Sequence, residues 1–273
     1  MNVFPSSMHV HTHYGDGNDS PETMVLSAIN LGFSSIGFAE HAYGPHDLGV
    51  CIPKYRMESY RTDIMRLKEK YAGKIEVSCG LEVEHYKLYD KDQWDHIVGS
   101  VHYVRSKKSG KYCPVDVSPP TFEAGIADAG EGDVRSLVEQ YGINVMDMVE
   151  YKPDIIGHLD VIAKLNRGKR FFDPSQSWYK AMWKKIISAI ACSGCITEVN
   201  TGGMCRGYTE EPYPSHDLLR MLYKERAPLT LCSDAHDKNT LDYNYKETVD
   251  LLREIGYRSL KIWHGGRFVD FPI

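Results

Sequence analysis

The sequence predicts an α/β protein built around a parallel sheet, and three observations carry that expectation. Short apolar runs recur along the chain: SMHVH, SSIGFAEH, IEVSCGLEVE, HIVGSVHY, DIIGHLD, CITEVNT and LTLCSDAH, with RSLKIWHG at 258–265 as a candidate eighth. Runs this continuously apolar fit strands buried on both faces of a parallel sheet. Longer helical patterns lie between them, and repeated β–α units of that length indicate a barrel or a doubly wound sheet. A chain of 273 residues also suits an α/β barrel folded as one domain.

The helices follow from caps and periodicity. Ser20-Pro21-Glu22 reads as a helix start, with serine as the cap and proline in the first turn. That helix runs through ETMVLSAIN and stops near Gly32. Further helices are expected over about 55–71, 133–151, 175–193, 215–225 and 240–256. One segment breaks the rhythm. Residues 105–132 are rich in Gly and Pro and show no period, which reads as a lid or binding loop, the alternative being a floppy insertion.

Composition narrows the function. A net charge of -5 argues against nucleic acid as the main partner. No apolar run approaches the roughly 20 residues of a membrane span, and the N-terminus lacks the pattern of a secretory signal. Seven cysteines without a paired framework suggest reduced thiols in a cytoplasm. The expected partner is a small molecule, with homo-oligomerisation left open.

The chemistry sits at the strand ends. In SSMHVHTHYGDG, His9 and His11 alternate on a strand and aim two imidazoles at one point, a natural clamp for a divalent metal. A tag remnant or a solvated histidine cluster is the bland reading of that motif alone. The other runs end alike, in His41, in Glu82 and Glu84, in His102, in His158, and in Asp234 with His236. The strand C-termini of a barrel converge on one mouth. Grouping so many imidazoles and carboxylates there is costly unless something compensates.

The ordered set HVHTHYGDG, FAEHAYGP, GLEVE, IVGSVHY, IIGHLDVI, EVNTGG and SDAHD resembles the polymerase-and-histidinol-phosphatase (PHP) superfamily of metal-dependent phosphoesterases, and more narrowly its stand-alone histidinol-phosphate phosphatases. The resemblance spans about residues 8–240. It implies a distorted (β/α)7 TIM-like barrel with three divalent metal ions at the C-terminal ends of the strands. Carried over by position, it gives the first ion His9, His11, Glu82 and Asp234. Glu82 bridges to a second ion completed by His102 and His158. The third falls to Asp16, His41 and His236, with Asp19 as the alternative to Asp16. Such mixed ligands suit Zn, Mn or Fe.

The implied reaction is hydrolysis of L-histidinol phosphate to L-histidinol and phosphate, in histidine biosynthesis, by in-line attack of a metal-bound hydroxide. Asp234 or His236 would relay the proton to the leaving alkoxide. Arg206, after a Gly-Gly turn, is expected to grip the phosphate, with Arg167 a weaker candidate. Asp160 and Glu40 are candidates for orienting the ligands, or else ordinary loop carboxylates. Asp116, Phe122 and Glu123 are suggested as the wall facing the amine and imidazole of histidinol.

His13 reads as a polar neighbour of the site. His46, His85, His96, His216 and His264 read as surface or core histidines. Cys192 and Cys195 read as buried thiols, and Cys232 as strand packing. Three rivals remain. One is a phosphoesterase of another small monoester such as a nucleoside monophosphate. Another is a dinuclear amidohydrolase, which bridges its metals through a carbamylated lysine where this chain offers Glu82. The third is a non-catalytic polymerase-type module.

Overall fold

Seven parallel strands form the centre of the molecule, which a computed structural model describes over residues 4–44, 46 and 49–273. In chain order these are β1 (Ser6–Val10), β2 (Ser35–His41), β3 (Glu76–Glu84), β4 (His96–Ser100), β7 (Ile155–Ile156), β8 (Ile196–Asn200) and β9 (Leu229–Cys232). They neighbour one another in that order. The ring closes through a parallel bridge between Val10 and Ala235, where the His11 N–H donates to the Ala235 carbonyl at 2.9 Å. The seven expected runs are the seven strands of this barrel.

The candidate eighth run behaves differently. It is β10 (Ser259–His264) and pairs antiparallel with β11 (Arg267–Pro272), outside the parallel sheet. Trp263 packs against Met8, Ala39, Val98, Ile155 and Cys232. Its neighbour His264 meets Glu76, the first residue of β3, at 2.7 Å. The hairpin therefore plugs the barrel at the end away from the strand C-termini.

Helices cover the outside. They are α1 (Pro21–Asn30), α2 (Met57–Lys70), α3 (Pro119–Asp128), α4 (Val134–Tyr151), α5 (Ser177–Ser193), the short α6 (Gly202–Cys205), α7 (His216–Lys224) and α8 (Tyr245–Ile255). The start of α1 is as expected: Ser20 accepts from the Thr23 N–H, and Pro21 opens the first turn. Helix α2 buries Tyr60, Ile64 and Leu67, which stand four and three residues apart and so share one face.

Residues 105–132, read as a lid or binding loop because they show no period, contain regular structure. Strands β5 (Tyr103–Arg105) and β6 (Tyr112–Pro114) form an antiparallel hairpin that leads into α3. A capping box at Ser118 and Thr121 starts that helix, with prolines in its first turn. Asp128 at its end accepts from Ser106 at 2.7 Å and Ser109 at 2.6 Å, tying helix to hairpin. Phe122, expected in a substrate wall, is wholly buried and packs on Phe171 instead.

Below the strand ends, the barrel interior is filled by His96. One ring nitrogen accepts from the Ser78 hydroxyl and the other donates to the Met8 carbonyl, both at 2.8 Å. Gly80 makes room for this ring, since a Cβ there would land on it. Gly80→Ala is therefore expected to cost about 1–3 kcal/mol by overpacking, read as a lowered midpoint in denaturant unfolding.

Candidate metal centre

The strand ends deliver their side chains to one place. His9 and His11 project from the end of β1 with ring centroids 5.1 Å apart, as alternation along the strand requires. Glu82 of β3 lies among the imidazoles. One of its oxygens is 2.7 Å from His41 Nδ1, 3.4 Å from His9 Nε2 and 3.7 Å from His11 Nε2. The other is 3.0 Å from His158 Nε2 and 3.6 Å from His102 Nε2, and those two nitrogens stand 3.2 Å apart. A single carboxylate thus faces five rings.

Asp234 and His236 follow β9. Asp234 adopts a left-handed backbone, with φ of 50°, which aspartate tolerates better than most residues. Its Oδ1 lies 3.2 Å from His11 Nε2. Asp16 sits in the turn after β1, 3.3 Å from His236 Nε2 and 3.9 Å from His41 Nε2. Three groups of potential ligands result among the described residues: His9, His11 and Asp234; His41, Glu82 and His102; and His11, Asp16, His41 and His236. His11 and His41 each belong to two groups, so the sets interlock more than the three expected from the sequence. Asp19 joins none of them and caps the Lys238 N–H at 2.9 Å.

Unpartnered polar atoms test whether these residues suit metal ions. Buried polar groups are normally hydrogen-bonded, yet His9 Nε2, both nitrogens of His11, Asp16 Oδ1 and Glu82 Oε2 are buried without a hydrogen-bond partner. Nitrogen and oxygen donors clustered this way suit a divalent metal ion, and the donor set fits.

Electrostatics agree. Burial alone would depress His41, but Glu82 and Asp16 outweigh it and raise the ring to about 10. His102 rises to about 9 against burial, through Glu84 and Glu82. His11 falls to about 4, because burial and the nearby His236 and His41 outweigh its carboxylate partners. Burial opposes ionisation of Glu82 and Asp234, yet His41 and His9 on one, Arg206 and His9 on the other, hold both well below the usual carboxylate range.

Two outer carboxylates hold the rings. Glu84 accepts from His102 through its N–H at 2.9 Å and its Nδ1 at 3.0 Å. Glu198 on β8 contacts His9 Nδ1 at 2.9 Å; it is a residue that sequence reading missed, although CITEVNT places it at a strand end like the others. The two carboxylates expected in this role act elsewhere. Glu40 points away from His41 and accepts from the Thr12 N–H and hydroxyl at 2.7 and 2.5 Å, anchoring the turn that carries Asp16. Burial pushes Glu40 up to about 8. Asp160 accepts from the Ser215 N–H at 3.1 Å and makes no hydrogen bond to His158.

A cavity of about 340 Å³ opens above the cluster. Arg206 lines it and donates to the Asp234 carboxylate at 2.8 Å and to the Asp234 carbonyl at 3.0 Å. Asp116 lines it too, paired with Lys164 at 3.0 Å, beside Tyr208 and Tyr213. Lys164 was not foreseen. Arg167 lies outside this cavity, exposed and paired with Glu210 at 2.8 Å, because its turn carries it to the surface. Glu123 likewise pairs with Arg170 at the surface.

The other histidines have local partners. His13 is exposed and turns away from the cluster, His46 stacks on Tyr112, His85 meets Glu84 and His216 meets Glu211. Cys195 and Cys232 are buried as expected, but Cys192 is exposed on the outer face of α5.

Comparison with known proteins agrees with this architecture. The family model described as "PHP domain" matches residues 7–202. A Schizosaccharomyces pombe protein named probable histidinol-phosphatase is 27% identical over 92% of this chain and 87% of its own length. The Bacillus subtilis histidinol-phosphatase is 26% identical over 87% of this chain and 96% of its own. A crystal structure of Lactococcus lactis histidinol phosphate phosphatase, complexed with Zn, L-histidinol and phosphate, superposes with a TM-score of 0.69 at 20% identity, covering 97% of this chain and 98% of that one. No helix among the described residues is long and apolar enough to cross a membrane. With its seven-stranded barrel and the cluster at its mouth, this chain belongs to the PHP domain family.

Proposed function

We propose that the protein is a metal-dependent phosphatase that hydrolyses L-histidinol phosphate to L-histidinol and phosphate. The observation that carries this reading is the cluster itself: buried, unpartnered imidazole and carboxylate atoms on the floor of a cavity bordered by a guanidinium. The relatives named histidinol-phosphatase, aligned over most of both chains, support the substrate.

Three divalent ions are assigned. His9, His11, Glu82 and Asp234 would hold the first, Glu82, His102 and His158 the second, and Asp16, His41 and His236 the third. Ions so held acidify water and offset charge developing on phosphoryl oxygens. The chain's own groups do the rest. Arg206, fixed against Asp234, keeps N–H donors for the phosphoryl oxygens, where charge-assisted bonds are strongest. Asp234 or His236 would relay the proton to the leaving alkoxide. Asp116 and the tyrosine rings of the wall suit a cationic amine and an imidazole. The single chain 1–273 acts as one catalytic domain in this reading.

Phosphate release from a panel of monoesters tests it. Protein loaded with Zn, Mn or Fe is expected to hydrolyse histidinol phosphate with the highest kcat/KM and to lose activity on chelation. A preference for nucleoside monophosphates would remove the biosynthetic assignment and keep the phosphoesterase; inactivity towards every ester would remove both.

A further inference from the structure

Strand β8 contributes a carboxylate that the assigned ligand set leaves out. Glu198 is wholly buried, and its two oxygens are shared among three donors. Oε1 accepts from the His158 N–H at 2.5 Å and from Asn200 Nδ2 at 2.8 Å. Oε2 lies 2.9 Å from His9 Nδ1. An ionised carboxylate only accepts hydrogen bonds, so in the neutral ring the proton of His9 must sit on Nδ1. That leaves the Nε2 lone pair free, and Nε2 is the buried, unpartnered atom 3.4 Å from Glu82.

We propose that Glu198 is a positioning residue: it fixes His9 in the tautomer that presents Nε2 to a metal ion and, through the His158 N–H, pins a second ligand to the same support. This rests on reading the cluster as a metal centre. One buried group thereby couples two ligands that stand 149 positions apart in sequence numbering (158 less 9). Outer partners of this kind orient the ring and raise its basicity as a ligand.

The acceptor pattern predicts an effect beyond loss of charge. In Glu198→Gln, the amide oxygen is drawn to the Oε1 position, where two N–H donors converge. Its NH2 then faces His9 Nδ1, which must accept. The ring proton moves to Nε2, the atom needed for the ion. Metal affinity is expected to fall by roughly 10–100-fold, with one ion lost first.

The test is competition for Zn between chelator-stripped protein and a chromophoric chelator, with elemental analysis for stoichiometry and NMR of isotope-labelled histidine rings for the tautomer. The expected result is weaker binding in Glu198→Gln together with one ring switching from Nδ1–H to Nε2–H in the stripped protein, read at a pH high enough for that ring to be neutral. Unchanged affinity and stoichiometry in a variant that folds by circular dichroism would overturn the proposal while leaving the metal centre standing. Wild-type protein that takes up no metal would instead remove the centre itself, and the proposal with it. Should Glu198→Gln not fold, Glu198→Asp and Glu198→Asn provide a pair of equal size that differ in charge and in acceptor pattern, and the ring tautomer separates the two. Asp must bind Zn more tightly than Asn; equal affinities overturn the proposal.

Discussion

Glu82→Gln is expected to lower phosphate release by more than the roughly 10–100-fold lost when only an outer partner of a ligand is removed, and to reduce metal content by more than one ion. The reason is the position of this side chain. Its oxygens face His9, His11 and His41 on one side and His102 and His158 on the other. A neutral amide keeps the volume and one acceptor, so packing is preserved while the shared anion is lost. The chelator-stripped variant is also expected to unfold more easily. Removing one partner of a buried charged pair costs about 3–5 kcal/mol, less whatever the imidazoles recover by shedding protons. Glu82 is about 1% exposed at its side chain, so solvent offers little relief. Elemental analysis and denaturant unfolding in chelator read the two effects separately. A variant that retains its metal content and its rate would show that Glu82 bridges nothing.

Much of this arrangement was legible in the sequence, for a physical reason. In a parallel barrel every strand C-terminus reaches the same mouth, so a ligand-type residue closing each apolar run had to converge with the others. Tertiary pairing was harder to read. Strands β5 and β6 are three residues each, too short for alternation to register, and the Gly- and Pro-rich surroundings hid α3 although Ser118-Pro119-Pro120 is a good helix start. Glu40 could have been placed correctly. It neighbours His41 on an extended strand and must point to the opposite face, which is where it meets Thr12. Asp160 escaped the same rule because β7 ends at Ile156, and alternation does not extend into the turns beyond. Arg167 failed for a related reason: a basic residue after a strand end is aimed by its turn, here towards Glu210. Glu198 was missed because it serves a ligand instead of completing the visible series. Its signal is the alternation of Glu198 and Asn200 around buried Val199.

Uptake of Zn by chelator-stripped protein is expected to tighten as pH rises from about 6 to about 9, and to release protons. A metal ligand must be deprotonated, and His41 and His102 are held at about 10 and about 9 by carboxylates that outweigh their burial. Both rings therefore carry protons at neutral pH that an ion must displace. Each displaced proton contributes about a tenfold gain in affinity per pH unit. His11, lowered to about 4, is already neutral and adds nothing to the slope. The same shifts set the stability of the stripped protein with the sign reversed. A ring raised above its ordinary 6.5 stabilises the fold fully below that pH, and the contribution is lost as pH climbs through the folded value. Glu40, lifted by burial from 4.5 to about 8, acts in the same direction between those values. Stripped protein should consequently lose stability between about pH 6.5 and 10, whereas tighter binding should protect the loaded protein over the same window. Melting temperatures with chelator and with Zn across that range, together with proton release in weak buffer, check both slopes. Stripped protein that grows more stable with rising pH would mean that carboxylates do not hold these imidazoles cationic, and the charge balance assigned to the cluster would fail.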